Sequence, residues 1–272
     1  MESTNNYYPE DMELERLYQA IVLEPKYAHF VRIPERIIRC LDHFRVECDA
    51  IEVKKRLLSY YLFIGVVDET IDCGGLETGK QILERFNIRT PCLDENTQRS
   101  AVDLTTEILK RNISREVYQA TWAKLHELYR AVISERTAGT MTVYIEQRRV
   151  VGSLTAEVSY LLIRPFLERP HADLLRFLKR VGSVGCLVDS IVDLPVDAKN
   201  GILSFRPSAR DLLKLIGRTL REALVISLRH PALLGLFMEA VADILRDRLR
   251  SAKLSSRVLV KTVGKESAAS VV

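Results

Sequence analysis

Leu57-Leu-Ser-Tyr-Tyr-Leu-Phe-Ile-Gly-Val-Val-Asp-Glu-Thr-Ile-Asp72 carries no charge until Asp68 and is apolar on more than one face when wound at 3.6 residues per turn. A helix of that kind belongs at the centre of a helical domain. The pattern extends it over Ile51 to Ile71, and the Gly74-Gly75 pair stops it. Helical spacing of apolar residues continues outward on both sides. It predicts helices over Asp11–Leu23, Thr78–Phe86 and Glu95–Lys110, and a longer one from about Ser114 through Trp122, Leu125 and Leu128. Met141–Leu167 follows. A further helix begins after Pro170 and runs to about Leu194, where Pro195 is expected to kink or end it. Val196–Ser208 reads as a loop, and two amphipathic helices, about Asp211–Leu228 and Pro231–Leu249, close the pattern.

The composition agrees with an all-α fold. Of 272 residues, 47% are hydrophobic, which excludes disorder for most of the chain, and only 12 Gly and 9 Pro are present, too few for a turn-rich β protein. One large helical bundle domain over residues 1–257 is expected, with a Ser/Ala/Lys-rich tail over 258–272 that frays. Forty Lys and Arg against 36 Asp and Glu leave a net charge of +4 with the signs interspersed, too mild a surplus to point to nucleic acid. No uncharged run reaches the roughly 18–20 residues that span a bilayer. The first ten residues lack the basic and apolar regions of a signal peptide, and Cys40, Cys48, Cys73, Cys92 and Cys186 form no C-x-x-C pair. A reducing cytoplasm is the expected setting.

Chemistry is concentrated in the aspartates. Fourteen of them should give about 0.7 pairs at i,i+4 by chance, yet Asp68/Asp72, Asp189/Asp193, Asp193/Asp197 and Asp243/Asp247 all occur. The last pair sits among arginines and is expected to lie on an exposed helix face. The others follow uncharged runs, Leu57–Val67 and Val181–Val188. Carboxylates one helical turn apart repel, so something positive should lie between them, and neither Leu57–Gly75 nor Val181–Val196 contains Lys or Arg. A divalent metal is the alternative. Carboxylates without His or Cys suit Mg²⁺, which completes its coordination with water and phosphate. Two such helices facing one another in a bundle, with an apolar cavity between them lined by Tyr61, Phe63, Ile64, Gly65, Gly182 and Gly185, would suit a hydrocarbon bearing a diphosphate. Arg148, four residues before Gly152 on the same helix face, and Lys199, just past the second motif, are candidate diphosphate contacts. The five histidines are scattered, as surface or capping residues would be, and no Ser/His/Asp set or phosphate-binding glycine loop is present.

The segment Leu57–Asp72 resembles the first aspartate-rich helix of squalene and phytoene synthases, and Gly182–Gly201 resembles their second. Arg149-Val-Val-Gly-Ser-Leu-Thr-Ala-Glu157 is more faintly similar to their glycine-containing substrate helix. The resemblance covers residues 40–250 in order and spacing. It implies a class I isoprenoid synthase fold, Mg²⁺, and a prenyl diphosphate substrate that ionises to an allylic cation. Carried over by position, it makes Asp68 and Asp72 one set of metal ligands and Asp189, Asp193 and Asp197 the other. Tyr61 becomes a cavity residue near the diphosphate, Gly152 the point of substrate approach and Lys199 a diphosphate contact. Gly65, Glu146, Arg149 and Cys186 depart from the family pattern. The departures favour a terpene synthase that consumes one substrate. Head-to-head coupling of two prenyl diphosphates and a non-catalytic helical protein that binds a prenyl lipid are the alternatives. Transient membrane contact is expected wherever an apolar product leaves.

Overall fold

In a computed structural model that describes residues 9–87, 100–243 and Arg246, the chain forms α1 (Pro9–Val22), α2 (Ala28–His43), α3 (Ala50–Gly74), α4 (Leu76–Asn87), α5 (Ala101–Asn112), α6 (Tyr118–Arg136), α7 (Met141–Ile163), α8 (Ala172–Lys199) and α9 (Ala209–Arg229). Short 3₁₀ turns lie at Pro25–Tyr27, Arg164–Phe166 and Pro231–Leu233, and a helical run follows over 234–243. Among the described residues there is no strand, only an isolated antiparallel bridge between Cys48 and Leu167. The fold is all-α. The tail over 258–272 lies outside the described residues.

Local chemistry sets the helix ends. Asp49 accepts hydrogen bonds from the Ile51 and Glu52 amides at 3.1 Å and starts α3, and Gly75 ends it at φ 82°, a value only glycine adopts freely. Thr140 caps α7, His171 accepts from the Leu174 amide to cap α8, and Ser208 and Asp211 form a capping box on α9.

Packing explains why α3 is apolar all round. It lies against α2, α4, α5 and α7, and Val53, Leu57, Tyr60 and Leu62 are fully buried, each large apolar side chain contributing about 1.5–3 kcal/mol. α7 and α8 approach most closely where Gly152 meets Gly182. A Cβ on Gly152 would stand 2.2 Å from the Gly182 carbonyl oxygen, and one on Gly182 would stand 2.3 Å from that of Gly152. Only glycine at both positions lets the backbones touch. Ionic contacts then fasten α9 to α7: Arg149 reaches Glu222 at 2.9 Å, and Arg218 reaches both Glu222 and Glu146.

Three expectations are corrected. Helix α2 occupies a stretch to which the patterning above assigns nothing, with Pro34 buried inside it. Pro195 does not stop α8, which continues to Lys199. Its end is made by Gly201 at φ 71°, where the Ile202 amide donates to the Asp197 carbonyl at 3.0 Å. Asp243 is buried rather than exposed, because Arg36 at 2.5 Å, Arg32 at 3.2 Å and Arg246 at 2.8 Å surround its carboxylate. Arg246, from the charged stretch that suggested a solvated face, is joined by Arg32 and Arg36 from α2, and the three neutralise the aspartate and hold the 234–243 run against α2. Asp247 lies outside the described residues.

Candidate functional site

Helical geometry puts Asp68 and Asp72 on the same side of α3, in its last two turns, and Asp189, Asp193 and Asp197 along one side of the last three turns of α8. The two sets meet at one end of the bundle. Asp68 is near enough to Asp189 and to Arg148 of α7 for both to act on its charge.

The positive charge between the carboxylates comes from arginines distant in sequence. Arg136, in the last turn of α6, bonds Asp72 and stands 4.0 Å from Asp68. Arg148 donates to both oxygens of Glu135 at 3.2 and 3.3 Å and to the Cys186 carbonyl at 3.2 Å, and approaches Asp189 at 3.6 Å. The absence of a local Lys or Arg therefore does not mean the absence of a basic partner. The premise that the carboxylates have no basic partner is corrected accordingly: α6 and α7 supply cations beside Asp68, Asp72 and Asp189. Among the described residues, no three His, Cys, Asp or Glu side chains lie close enough together to hold a metal ion. Carboxylates without nitrogen or sulfur donors fit Mg²⁺ by donor type, and three of the five, Asp68, Asp72 and Asp189, stand beside guanidinium groups.

Electrostatics sets Asp68 apart. Desolvation first, and then the charge of Asp72, push its carboxyl up to about 6, against the opposing pull of Arg148 and Arg136. Its side chain is still 62% exposed, so the carboxyl sits at the solvent boundary of the cluster and not in the interior. Nearby, burial raises the Cys186 thiol to about 11 and Tyr144 to about 12. Tyr144 donates to Ser190 Oγ at 3.0 Å, and Ser190 donates to the Cys186 carbonyl at 2.9 Å. The same Tyr144 responds to Asp197, which places the third aspartate of α8 in this neighbourhood.

The other expected site residues separate. Arg148 is part of the cluster. Lys199 is exposed at the last position of α8. Tyr61 is a core residue, hydrogen-bonded to Ser159 at 2.9 Å. Phe63 lies on the far side of α3 from Asp68, packed against Phe86 at 6.0 Å between ring centroids. A Cβ on Gly65 would strike the Phe30 ring at 2.6 Å, so that glycine admits a side chain of α2. Gly152 is occupied by Gly182, as described above, and not by an approaching ligand. The apolar space expected beside Tyr61, Phe63, Gly65 and Gly182 is thus filled by protein at each of those residues. Apolar surface instead borders the carboxylates at Ile64, Val132, Leu154 and Cys186, partly buried around Leu128, Ala131 and Val151.

Glu135 and Arg136 went unnoticed in the sequence, although a signal was there. Thr121, Leu125, Leu128 and Ala131 form the buried stripe of α6, and Glu135 falls in line with them. An acid on an apolar stripe needs a partner, and Arg148 is that partner. No family model, no curated protein and no solved structure matches the chain.

Proposed function

We propose that the protein is a Mg²⁺-dependent terpene synthase that ionises a prenyl diphosphate and releases diphosphate. The reading rests on one observation: carboxylates from α3 and α8 converge with two guanidinium groups beside a strip of partly exposed apolar side chains. Arg136 and Arg148 would bind phosphate oxygens in bidentate fashion and take the place of the arginine that squalene and phytoene synthases carry three residues before their first aspartate, where this chain has Gly65. Asp68, Asp72, Asp189, Asp193 and Asp197 would hold Mg²⁺, which when bound neutralises charge on the departing diphosphate. Ile64, Val132, Leu154 and the Cys186 side chain would support the prenyl tail and keep water from the allylic carbon. Charge develops on the diphosphate as the C–O bond breaks, so donors fixed in advance at this point stabilise the transition state more than the ground state.

Incubation with Mg²⁺ and C10, C15 and C20 prenyl diphosphates should release diphosphate and yield a hydrocarbon or alcohol. Asp72→Asn and Asp193→Asn should lower that release by orders of magnitude. No diphosphate release from any of the three overturns the reading. One product per substrate consumed marks cyclisation, and one per two marks coupling. The ion pairs Arg136–Asp72 and Arg148–Asp189 favour a second reading, in which a site neutralised without metal binds a prenyl lipid and does not turn it over. Tight binding without release would identify it.

No single helix is long and apolar enough to cross a membrane. The outer face of α9 nevertheless exposes Leu213, Leu220, Leu224 and Leu228 in one stripe, with Arg210, Lys214 and Arg221 along its edge. An amphipathic face of this kind suits an anionic bilayer surface, where an apolar product would leave.

A further inference from the structure

A cavity of about 490 Å³ opens at the other end of α8, lined by Phe44, Phe177 and Ile226 on its apolar side and by His171, Arg180, Arg229 and His230 on its basic side. Arg180 and Asp189, the nearest of the α8 aspartates, are 9 residues apart on one continuous helix, about 13 Å at 1.5 Å per residue, so the cavity is separate from the carboxylate cluster. Arg176 and Asp173 also line it and pair with each other. Among the described residues, Arg180 and Arg229 form no ion pair. Asp173, the one acid in the lining, is taken up by Arg176, so Arg180 and Arg229 leave a surplus of two guanidinium groups there.

The imidazoles have defined roles. His171 accepts from the Leu174 amide through Nδ1, so its neutral ring carries the proton on Nε2 and can donate from there. His230 shares a contact of 3.4 Å with His43 of α2, and desolvation, then His43, Arg229 and Arg180, hold its pKa below the ordinary imidazole value. The net charge of the lining is positive. Phe177 packs edge-on against His230 at 4.8 Å and tilts against Phe44 at 5.1 Å, which leaves a mixed wall of rings beside the cations.

We propose that this cavity is a second binding site, for a phosphate monoester with an aromatic body. Two unpaired guanidiniums match a dianionic phosphate in charge, a neutral imidazole can add a donor, and the aromatic wall can receive the body of the ester. The volume falls within the range of small-molecule sites, about 300–1,000 Å³. Free phosphate would satisfy the arginines alone and leave the rings uncovered. The inference stands independently of the carboxylate cluster and its chemistry.

Isothermal titration of the full chain at pH 7.5 with phenyl phosphate, inorganic phosphate and phenol tests it. Phenyl phosphate should bind about tenfold or more tighter than inorganic phosphate, and phenol should give no measurable heat. Arg180→Glu and Arg229→Glu, both at exposed positions, should each weaken phenyl phosphate by at least about tenfold with unchanged circular dichroism, and Asp193→Asn should leave it unaffected. In NMR titrations the His230 ring should protonate at higher pH with ligand bound, because a bound dianion cancels the field that now holds it down. Absence of phenyl phosphate binding, or binding that survives both arginine substitutions, overturns the proposal. Loss of binding in Asp193→Asn would place the ligand at the carboxylate cluster and overturn it equally. Equal affinity for phosphate and phenyl phosphate would remove the aromatic body from it.

Discussion

Replacing Gly152 by alanine adds one methyl group at the tightest point between α7 and α8. The new Cβ would lie 2.2 Å from the Gly182 carbonyl oxygen, 2.6 Å from its carbon and 2.9 Å from the Ser183 Cα, where ordinary contact begins near 3.4 Å. All three atoms are backbone, so no rotamer change relieves the clash, and the helices must part locally by about 1.2 Å. A gap of that size forfeits about half of the dispersion energy of the pairs it separates. Overpacking of this kind costs up to about 3 kcal/mol, offset by about 1 kcal/mol from the better helix propensity of alanine. The net expectation is a loss of about 2 kcal/mol, or about 4–8 °C in melting temperature for a domain of this size. Gly185, also in α8, has nothing within 4 Å of where its Cβ would stand, and Gly185→Ala should stabilise by up to about 1 kcal/mol. Urea titration followed by circular dichroism at 222 nm measures both. A Gly152→Ala protein as stable as the wild type would refute the close-contact role, and with it the account of why α7 and α8 hold Arg148 beside Asp189.

Arg148→Ala should destabilise by about 3 kcal/mol, because Glu135 is left buried without its partner, and Glu135→Gln in the same chain should recover part of the loss in urea titration. Arg148 thus has a structural role beside the diphosphate contact expected of it. Asp68 holds its proton more tightly in the folded chain, with a pKa of about 6 against an ordinary 3.8, so its stabilising contribution is full below pH 3.8 and lost as pH rises through about 6. Asp68→Asn should therefore gain melting temperature relative to the wild type as pH rises from 4 to 7, and a relative loss over that window would contradict the crowded-carboxylate picture. Leu220→Asp with Leu224→Asp should reduce flotation with vesicles containing phosphatidylserine by at least about tenfold without changing the circular dichroism spectrum, since both side chains are exposed. Undiminished flotation would move any membrane contact away from α9.

The sequence by itself determined the helical class and most of the elements, because the 3.6-residue period, the stop at Gly75 and the start after Pro170 are local properties that neighbours in space do not alter. It also singled out the two aspartate motifs, since their spacing on apolar helices is visible without any fold. It did not reveal α2, where Pro34 interrupts an otherwise regular pattern of Phe30, Ile33, Ile37 and Leu41, nor the passage of α8 through Pro195, which the surrounding contacts of Leu194 support. Only the tertiary structure decided what neutralises the aspartates. Arg136 lies 64 residues from Asp72 and Arg148 lies 41 from Asp189, and no spacing rule joins residues so far apart. The same holds for the glycines. Gly65 and Gly152 read as places kept open for a ligand, but whether an open place is filled by substrate, by Phe30 or by the backbone of Gly182 depends on which helix packs there. A missing side chain is written in the sequence, whereas its occupant is fixed by long-range packing.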